Sequence, residues 1–272
     1  MTAVDRPADR PASDSPDLVE RREVIRGIVL RDGFARIDEL AQRLGVSLMT
    51  IHRDLDALAA QGYLTKIRGG ATANPSALLE ARVPERVAAM RDEKLAVAAH
   101  AAKLLSPGQT IFLDDSTTAL AMIPHLVAAA PVTVATNFLP VIPRLAGQQG
   151  VELIVLGGQY HPVPEACFGS RTQEAIGHLH ADLAFLSTTG INRLSCYHRS
   201  EITVTSRKAF MANSTSTVLL VDHAKFGRPA SHLLAKLTDF DLVVVDEGID
   251  AEDETEMRAA GVHYEIARRL RA

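Results

Sequence analysis

Two short segments of the sequence carry side chains suited to contacting a nucleic acid. The first is LAQRLGVSLMTIHRDLDAL at residues 40–58, where Thr50 and Arg53 lie on the opposite side of an apolar-striped helix from its buried residues. Arginine can donate two hydrogen bonds to guanine, and a threonine hydroxyl can reach a base edge or a phosphate. The second is YLTKIRGGAT at residues 63–72, where Lys66 and Arg68 can neutralise phosphate charge.

Helical periodicity accounts for the positions of these residues in the first segment. Apolar residues recur at i and i+4 over residues 37–44 and again over residues 48–60, which predicts two packed helices separated by a tight turn at Gly45. Ser47 is expected to cap the second of these helices, so that its first turn points into the major groove. The buried stripe of this helix is predicted to contain Leu48, Ile51, Leu55 and Leu58.

The opposite face of the same helix is predicted to read the duplex. Met49 can touch a thymine methyl group, whereas His52 lies on the flank, where a backbone contact is favoured over base readout. The predicted DNA-contacting residues are Ser47, Met49, Thr50, His52, Arg53, Lys66 and Arg68.

A third helix and a hairpin complete the N-terminal unit. VERREVIRGIVLRDG at residues 19–33 places apolar residues at helical spacing before a stop at Asp32-Gly33, and Gly69-Gly70 permits positive φ in a tight hairpin turn. Lys66, two residues before Arg68 on the same strand, should project from the same face. Three helices followed by a basic hairpin describe a winged helix, although any three-helix core with a solvated outer face shares the helical part of this pattern.

The rest of the chain is predicted to form an α/β domain. Near-continuous apolar strands separated by amphipathic helices are typical of a mainly parallel sheet covered on both faces. We assign residues 1–17 to a disordered tail, 18–72 to a winged helix-turn-helix domain, 73–92 to a linker with a short helix, and 93–272 to the α/β domain. The strand candidates are TIFLDD, VTVAT, VELIVL, ADLAFLS, STVLLVD, LVVVD and VHYEI.

Polar residues follow several of these strands and predict a ligand site, because a parallel sheet binds ligands at the carboxyl ends of its strands. Residues 114–118, DDSTT, combine hydroxyls with backbone N–H groups at a helix start, which suits a phosphate. Lys225 can neutralise the phosphate, and Asp114 or Asn137 can bind sugar hydroxyls. Each also has an ordinary structural explanation, such as a helix cap for Ser116. The candidates from this sheet edge are Asp114, Ser116, Thr117, Thr118, Asn137, Gly190 and Lys225.

Composition and charge narrow the class of protein. The 272 residues carry a net charge of −4, but residues 18–70 hold nine Lys and Arg residues against seven Asp and Glu residues, which permits DNA binding without demonstrating it. Two cysteines without a pairing framework, no membrane-length apolar run and no signal peptide predict a cytoplasmic protein. The histidines are scattered, with His178 and His180 as the closest set, so no metal site is predicted, and no cofactor is expected.

The sequence from ERREVIRG to LTKIRGGAT resembles the helix-turn-helix domain of the DeoR family of bacterial transcriptional regulators, including the RDL of the recognition helix and the GGA after the wing. LDDSTT, TN, GG, the D-x-AF-x-S-x-x-G pattern and DHAKFG resemble successive landmarks of that family's C-terminal sensor domain. The resemblance implies a regulator, commonly a repressor, that responds to a sugar phosphate through a sensor related in fold to ribose-5-phosphate isomerase. It also implies that Glu201 and Lys208 border the effector pocket.

Two positions depart from the family pattern. His52 stands where a second basic residue is usual, and Ser116 stands where glycine is usual, which restricts the backbone and fills space near any phosphate. The combined expectation is a homo-oligomer, dimer or tetramer, with a double-stranded DNA operator, a phosphorylated sugar effector and no membrane partner. An activator or architectural DNA-binding protein of the same fold stays open. So does an isomerase-like enzyme using Asp114, Asp115 and Lys225 for proton transfer, although an enzyme would not need a winged helix.

Overall fold

The structure is a computed structural model and describes residues 16–32, 34–60, 63–73 and 83–269. Two compact units divide the chain, one over Met1–Leu78 and the other over Leu79–Ala272. None of the described helices is long and apolar enough to cross a membrane. Within the described ranges, no group of three or more His, Cys, Asp or Glu residues could hold a metal ion. Residues 1–15 of the predicted tail lie outside the described residues.

The first unit contains three helices and a small sheet, so the predicted winged helix-turn-helix is confirmed. Its elements are α1 (Pro16–Asp32), β1 (Phe34–Arg36), α2 (Ile37–Leu44), α3 (Leu48–Ala60), β2 (Leu64–Ile67) and β3 (Gly70–Ala73). The second and third helices have the bounds predicted from the sequence. Gly45 separates them with a φ of +64°, because glycine accepts the left-handed conformation that ends α2. The first helix begins at Pro16, two residues before the predicted start of the domain at residue 18.

The buried stripe of α3 is one residue shorter than predicted. Ile51, Leu55 and Leu58 are at most 2% exposed, but the prediction for Leu48 is wrong, since its side chain is 53% exposed. Leu48 is the first residue of α3, and a helical side chain tilts toward the N-terminus of its helix. It therefore projects past the helix start instead of onto the core. Met49 beside it is 63% exposed.

A third strand, too short to give a periodic signal in the sequence, completes the wing. The sheet has the order β1-β3-β2, and both pairings are antiparallel. Glycine is required at Gly70, because a Cβ atom there would lie 2.5 Å from the Ala35 carbonyl oxygen. Only Gly69 of the two glycines has a positive φ, of +83°. The turn is formed by Arg68 and Gly69, so the prediction that Arg68 shares a strand with Lys66 is wrong.

Helices and strands alternate through the second unit. Its helices are α4 (Val83–Ala88), α5 (Arg91–Ala101), α6 (Ile123–Ala128), α7 (Ile142–Leu145), α8 (Ser170–Gly177), α9 (Glu201–Ala212) and α10 (Ala251–Ala259). Its strands are β4 (Thr110–Leu113), β5 (Val132–Thr136), β6 (Val151–Val155), β7 (Gln159–His161), β8 (Ala166–Phe168), β9 (Ala181–Leu186), β10 (Gly190–Asn192), β11 (Ser195–His198), β12 (Ser214–Val221), β13 (His232–Lys236), β14 (Leu242–Asp246) and β15 (Tyr264–Ala267).

A seven-stranded sheet forms the centre of this unit, in the order β15-β14-β12-β9-β4-β5-β6. Every neighbouring pair runs parallel. These are the seven strands predicted from the apolar runs, so the mainly parallel α/β prediction is confirmed. The carboxyl ends of all seven strands consequently lie along one edge of the sheet, where residues from β4, β9 and β12 can meet.

Successive residues of a strand point to opposite sides of the sheet. In this unit both sides are buried, each in its own hydrophobic core. In β4, Leu113 belongs to a core that includes Val97 of α5, whereas Phe112 belongs to a core that includes Phe210 of α9. The rings of Phe112 and Phe210 lie 5.0 Å apart between centroids. Burial of both faces explains why these strands are unbroken apolar runs instead of alternating ones.

The second unit differs from the prediction in its small sheets and at its start. Strands β7 and β8 pair with each other, and β10, β11 and β13 form a further antiparallel sheet that was not predicted. The linker is shorter than predicted at its carboxyl end, because Val83 is 4% exposed in the core of the second unit. Pro84 stands in the first turn of α4, where proline is tolerated.

Candidate functional site

The start of α3 is held by a side-chain cap. The Thr50 N–H donates to Ser47 Oγ at 3.1 Å, and the two hydroxyl oxygens lie 2.9 Å apart. The predicted cap at Ser47 is therefore confirmed. The Thr50 side chain is half-buried, and its hydroxyl forms a hydrogen bond with Ser47.

The underside of α3 is fixed to α1 by a buried carboxylate. Asp54 is 1% exposed and accepts hydrogen bonds from Arg21 Nε at 2.6 Å and from Arg22 Nε at 3.0 Å. A buried carboxylate is tolerated when it is paired in this way, and the pairing sets the rotation of α3 about its axis. Arg53 and His52 are exposed, and among the residues that the structure describes none forms a hydrogen bond or ion pair with Arg53.

The wing lysine is paired within the first unit. Lys66 Nζ donates to Asp56 Oδ1 of α3 at 2.6 Å. Arg68 is exposed in the wing turn. Lys66 must therefore release the Asp56 carboxylate before it can neutralise a phosphate.

Replacing Asp56 by asparagine is expected to strengthen binding to DNA of any sequence by about two- to fivefold, because an exposed ion pair contributes about 0.3–1 kcal/mol and the freed Lys66 can pair with phosphate. The slope of log K against log salt should steepen by about 1. Anisotropy titrations of a mixed-sequence duplex at several salt concentrations measure both quantities. The variant Glu252→Gln removes the same charge from α10 and should change neither, and an unaltered slope for Asp56→Asn would contradict the expectation.

The loop that follows β4 is buried and well ordered by its own hydrogen bonds. Residues 114–118 are all at most 6% exposed. Asp114 accepts the N–H groups of Ser116 and Ser187, each at 2.9 Å. Ser116 Oγ accepts the Ala119 N–H at 3.0 Å and so caps the short 3-10 helix over Ala119–Met122. The ordinary explanation for Ser116, a helix cap, holds at this position.

A buried arginine joins two aspartates at this loop. Arg207 of α9 is 1% exposed, with Nε 3.0 Å from Asp114 Oδ2 and Nη2 3.1 Å from Asp115 Oδ1. Its Nη1 also donates to the Ser187 carbonyl oxygen at 2.6 Å. Burial raises the pKa of Asp114. Burial also acts to raise the pKa of Asp115, but Arg207 and other neighbouring positive charges outweigh it and lower that pKa below its ordinary value.

Two further cations approach the loop from the start of the second unit. Lys94 of α5 is 6% exposed, and its Nζ donates to Thr117 Oγ1 at 3.2 Å, to the Ala89 carbonyl at 2.6 Å and to the Arg86 carbonyl. The Arg86 Nη2 group donates to the Asp115 carbonyl oxygen at 3.4 Å. Helices α4 and α5 thus supply one wall of the site, although the sequence had assigned most of this segment to the linker.

Two more cations, Lys225 and Arg228, come from the segment after β12. Lys225 Nζ lies 4.0 Å from Asp222 Oδ2. Burial lowers the pKa of Lys225 to about 8 and that of Lys94 to about 7, and the charge of Lys225 is the next cause for Lys94. Within the described ranges, no carboxylate lies within 4.0 Å of Lys94, Arg86 or Arg228. We call Arg86, Lys94, Lys225 and Arg228 the cation cluster; its charges repel one another until an anion binds.

Asn137 places an unsatisfied polar atom at the neighbouring strand end. It follows β5, which pairs with β4, and it is fully buried. Its Nδ2 donates to the Cys167 carbonyl oxygen at 2.8 Å, while Oδ1 has no hydrogen-bond partner. A buried acceptor without a donor is costly, so Oδ1 is suited to accept a hydrogen bond from a ligand hydroxyl.

The remaining predicted effector residues do not gather at this loop through their side chains. Lys208 lines a groove with Ser214 and Thr217 at the amino end of β12, which contradicts its expected place in the effector pocket. Glu201 is exposed at the first residue of α9. Gly190 serves close packing, since a Cβ atom there would lie 2.3 Å from a backbone carbonyl oxygen. Thr118, by contrast, belongs to the loop itself, and its hydroxyl lies 3.5 Å from Ser187 Oγ.

The sequence analysis missed Arg86, Lys94, Arg207 and Arg228. A signal existed only for Arg207, because Val204, Arg207 and Phe210 recur every three residues and share the buried face of α9. The others depend on how α4, α5 and the segment after β12 pack, which no local pattern records.

Both units match models of known families. The DeoR-like helix-turn-helix domain matches residues 21–77, and the DeoR C terminal sensor domain matches residues 89–247. The uncharacterized HTH-type transcriptional regulator YgbI of Escherichia coli (strain K12) is 32% identical over 85% of this chain and 91% of its own length. The putative aga operon transcriptional repressor of Escherichia coli O157:H7 is 29% identical over 89% of this chain and 91% of its own. These relatives are named as regulators of transcription, not as enzymes.

The solved structures give a weaker comparison. Ribose 5-phosphate isomerase A from Methanocaldococcus jannaschii is 22% identical over 52% of this chain and 56% of its own, with a TM-score of 0.37. The fold of the second unit rests on its own strand order and on the family match.

Proposed function

The chain belongs to the DeoR family of transcriptional regulators, and from this premise we propose that it is a repressor released from its operator by a phosphorylated sugar or polyol. In this proposal α3 and the wing of the first unit bind the operator. The effector binds at the carboxyl edge of the seven-stranded sheet. The name of one relative, the putative aga operon transcriptional repressor, supports the sign of regulation.

The observation that carries the effector proposal is the cation cluster beside residues 114–118. A group of buried and half-buried lysines and arginines, of which only Lys225 has a described carboxylate within 4.0 Å, is suited to a dianion such as a phosphate ester. Asn137 Oδ1, at the end of the adjacent strand, is suited to a sugar hydroxyl. In this proposal Asp114 and Ser116 shape the loop and do not touch the ligand, because their polar atoms are already used within the fold.

The exposed face of α3 supports the operator proposal. Arg53 contacts a guanine edge, while His52 and the wing cations Lys66 and Arg68 contact the phosphate backbone. Symmetric half-sites would be matched by a dimer or tetramer of the chain, acting in the cytoplasm where an operator lies. The effector changes DNA affinity only if it binds one conformation of the protein better than another.

Replacing Lys225 by methionine is expected to weaken effector binding by about 10- to 100-fold, because a hydrogen bond to a charged group contributes about 1.5–3 kcal/mol. The effector is first found by thermal shift of the full chain against a panel of sugar phosphates, and its dissociation constant is then measured by calorimetry. In the wild type the dissociation constant should rise as pH rises through about 8, where Lys225 loses its proton. The methionine variant should lack this increase.

The variant Lys208→Met is the matched control, since Lys208 lies at the other end of β12 and should bind the effector as the wild type does. If the protein is folded and no member of the panel raises its melting temperature, the effector proposal is contradicted. Equal affinity of the wild type and Lys225→Met would instead reject the assigned site. A reporter gene behind the operator that falls silent when the protein is deleted would identify an activator and reject the repressor.

A further inference from the structure

The start of α3 exposes two large apolar side chains side by side. Leu48 is 53% exposed and Met49 is 63% exposed, and they are the first two residues after the Ser47 cap. Single exposed apolar residues are ordinary. In this class of domain the start of this helix enters the major groove, so DNA would cover both Leu48 and Met49.

Polar readout by the same turn is restricted by its own hydrogen bonds. Ser47 Oγ accepts the Thr50 N–H, and the Ser47 and Thr50 hydroxyls bond to each other at 2.9 Å. Apart from these mutually bonded hydroxyls, the exposed side chains of the first turn of α3 are the apolar Leu48 and Met49. Among the base edges of the major groove, only thymine presents an apolar group, its C5 methyl.

We propose that Leu48 and Met49 together contact thymine methyl groups and so require thymine in each operator half-site. The inference rests on the proposed operator binding by α3 and adds the base that the helix start selects. Arg53 lies four residues after Met49, about 6 Å along the helix. Base pairs are spaced by about 3.4 Å, so the guanine read by Arg53 should stand about two base pairs from a selected thymine.

The test uses the full chain and its own selected operator. A duplex enriched from a random library is resynthesised with each thymine replaced in turn by deoxyuracil, which removes only the methyl group. At one or two thymines per half-site, the wild type should lose about fourfold in affinity for each methyl group removed. The double variant Leu48→Ala, Met49→Ala should bind the normal operator at least about tenfold more weakly and should not distinguish thymine from uracil at those positions.

The variant Val24→Ala is the matched control, because Val24 is also an exposed apolar residue of the first unit but lies on α1. It should keep the wild-type preference for thymine, and all variants should melt at the wild-type temperature. Equal wild-type affinity for every uracil-substituted duplex, with guanine preference intact, overturns this inference and leaves operator binding standing. A thymine preference that persists in the double variant also overturns it. Failure to enrich any sequence overturns operator readout itself, and this inference with it.

Discussion

Replacement of Arg207 by methionine is expected to lower the free energy of unfolding of the second unit by about 3–5 kcal/mol. Arg207 is 1% exposed and pairs with both Asp114 and Asp115. Methionine fills a similar volume but leaves two buried carboxyl groups next to each other without a cation. Removing one partner of a buried ion pair costs more than the pair itself contributes, because the remaining charge cannot be solvated.

The loss should depend on pH in a defined direction. Without Arg207 the pKa values of Asp114 and Asp115 in the folded protein should lie above their unfolded values, so their protonated forms favour folding at low pH and this contribution is lost as pH rises. Urea unfolding followed by circular dichroism at pH 5 and pH 8 measures the difference. Lys208→Met, the neighbouring exposed position, should be near the wild type at both values. An equal loss at both values would exclude the charge explanation.

Arg53→Ala is expected to reduce operator affinity by about 1–3 kcal/mol, or roughly 5- to 150-fold, and to relax the sequence preference at one base pair. The expectation follows from a guanidinium that is exposed on α3 and free of partners among the described residues. Titration of the selected operator and of duplexes with each base pair changed measures both effects. Unchanged affinity would reject base contact by Arg53.

A second arginine separates base readout from general charge. Arg43 is exposed in the last turn of α2 and, when changed to alanine, should weaken binding equally for all sequences or not at all. If Arg53→Ala behaved in the same way, with a uniform loss and a salt slope reduced by about 1, Arg53 would be a phosphate contact.

The parts of the fold that the sequence predicted are those governed by local chemistry. The bounds of α2 and α3 follow from a left-handed glycine and a serine cap, both of which act within one turn. The seven parallel strands were predictable because burial on two faces demands apolar residues at every position. Helical periodicity assigned Leu48 to the buried stripe from its direction around the helix axis alone. The prediction was wrong because the Leu48 side chain lies at the helix start, where the core does not cover it.

The candidate site was less predictable because its charges come from distant segments. Arg207 and Lys208 are adjacent and both basic, yet α9 turns the first into the core and the second to solvent. Composition does not distinguish the two, and only the helical spacing of Arg207 with Val204 and Phe210 places it on the buried face. Similarly, the sequence assigned residues 73–92 to the linker, and only the burial of Val83 shows that α4 and its Arg86 belong to the second unit.

If the proposed effector site is correct, the three hydrogen bonds of Lys94 connect it to the end of α4. Its ammonium holds the carbonyl oxygens of Arg86 and Ala89, which are orphan acceptors where α4 ends, as well as the Thr117 hydroxyl. A phosphate that draws this ammonium toward itself would leave those carbonyls unsatisfied and fray the helix by which the chain enters its sensor. The Lys94 ammonium would thus hold the end of α4 in the empty protein and release it when a phosphate binds.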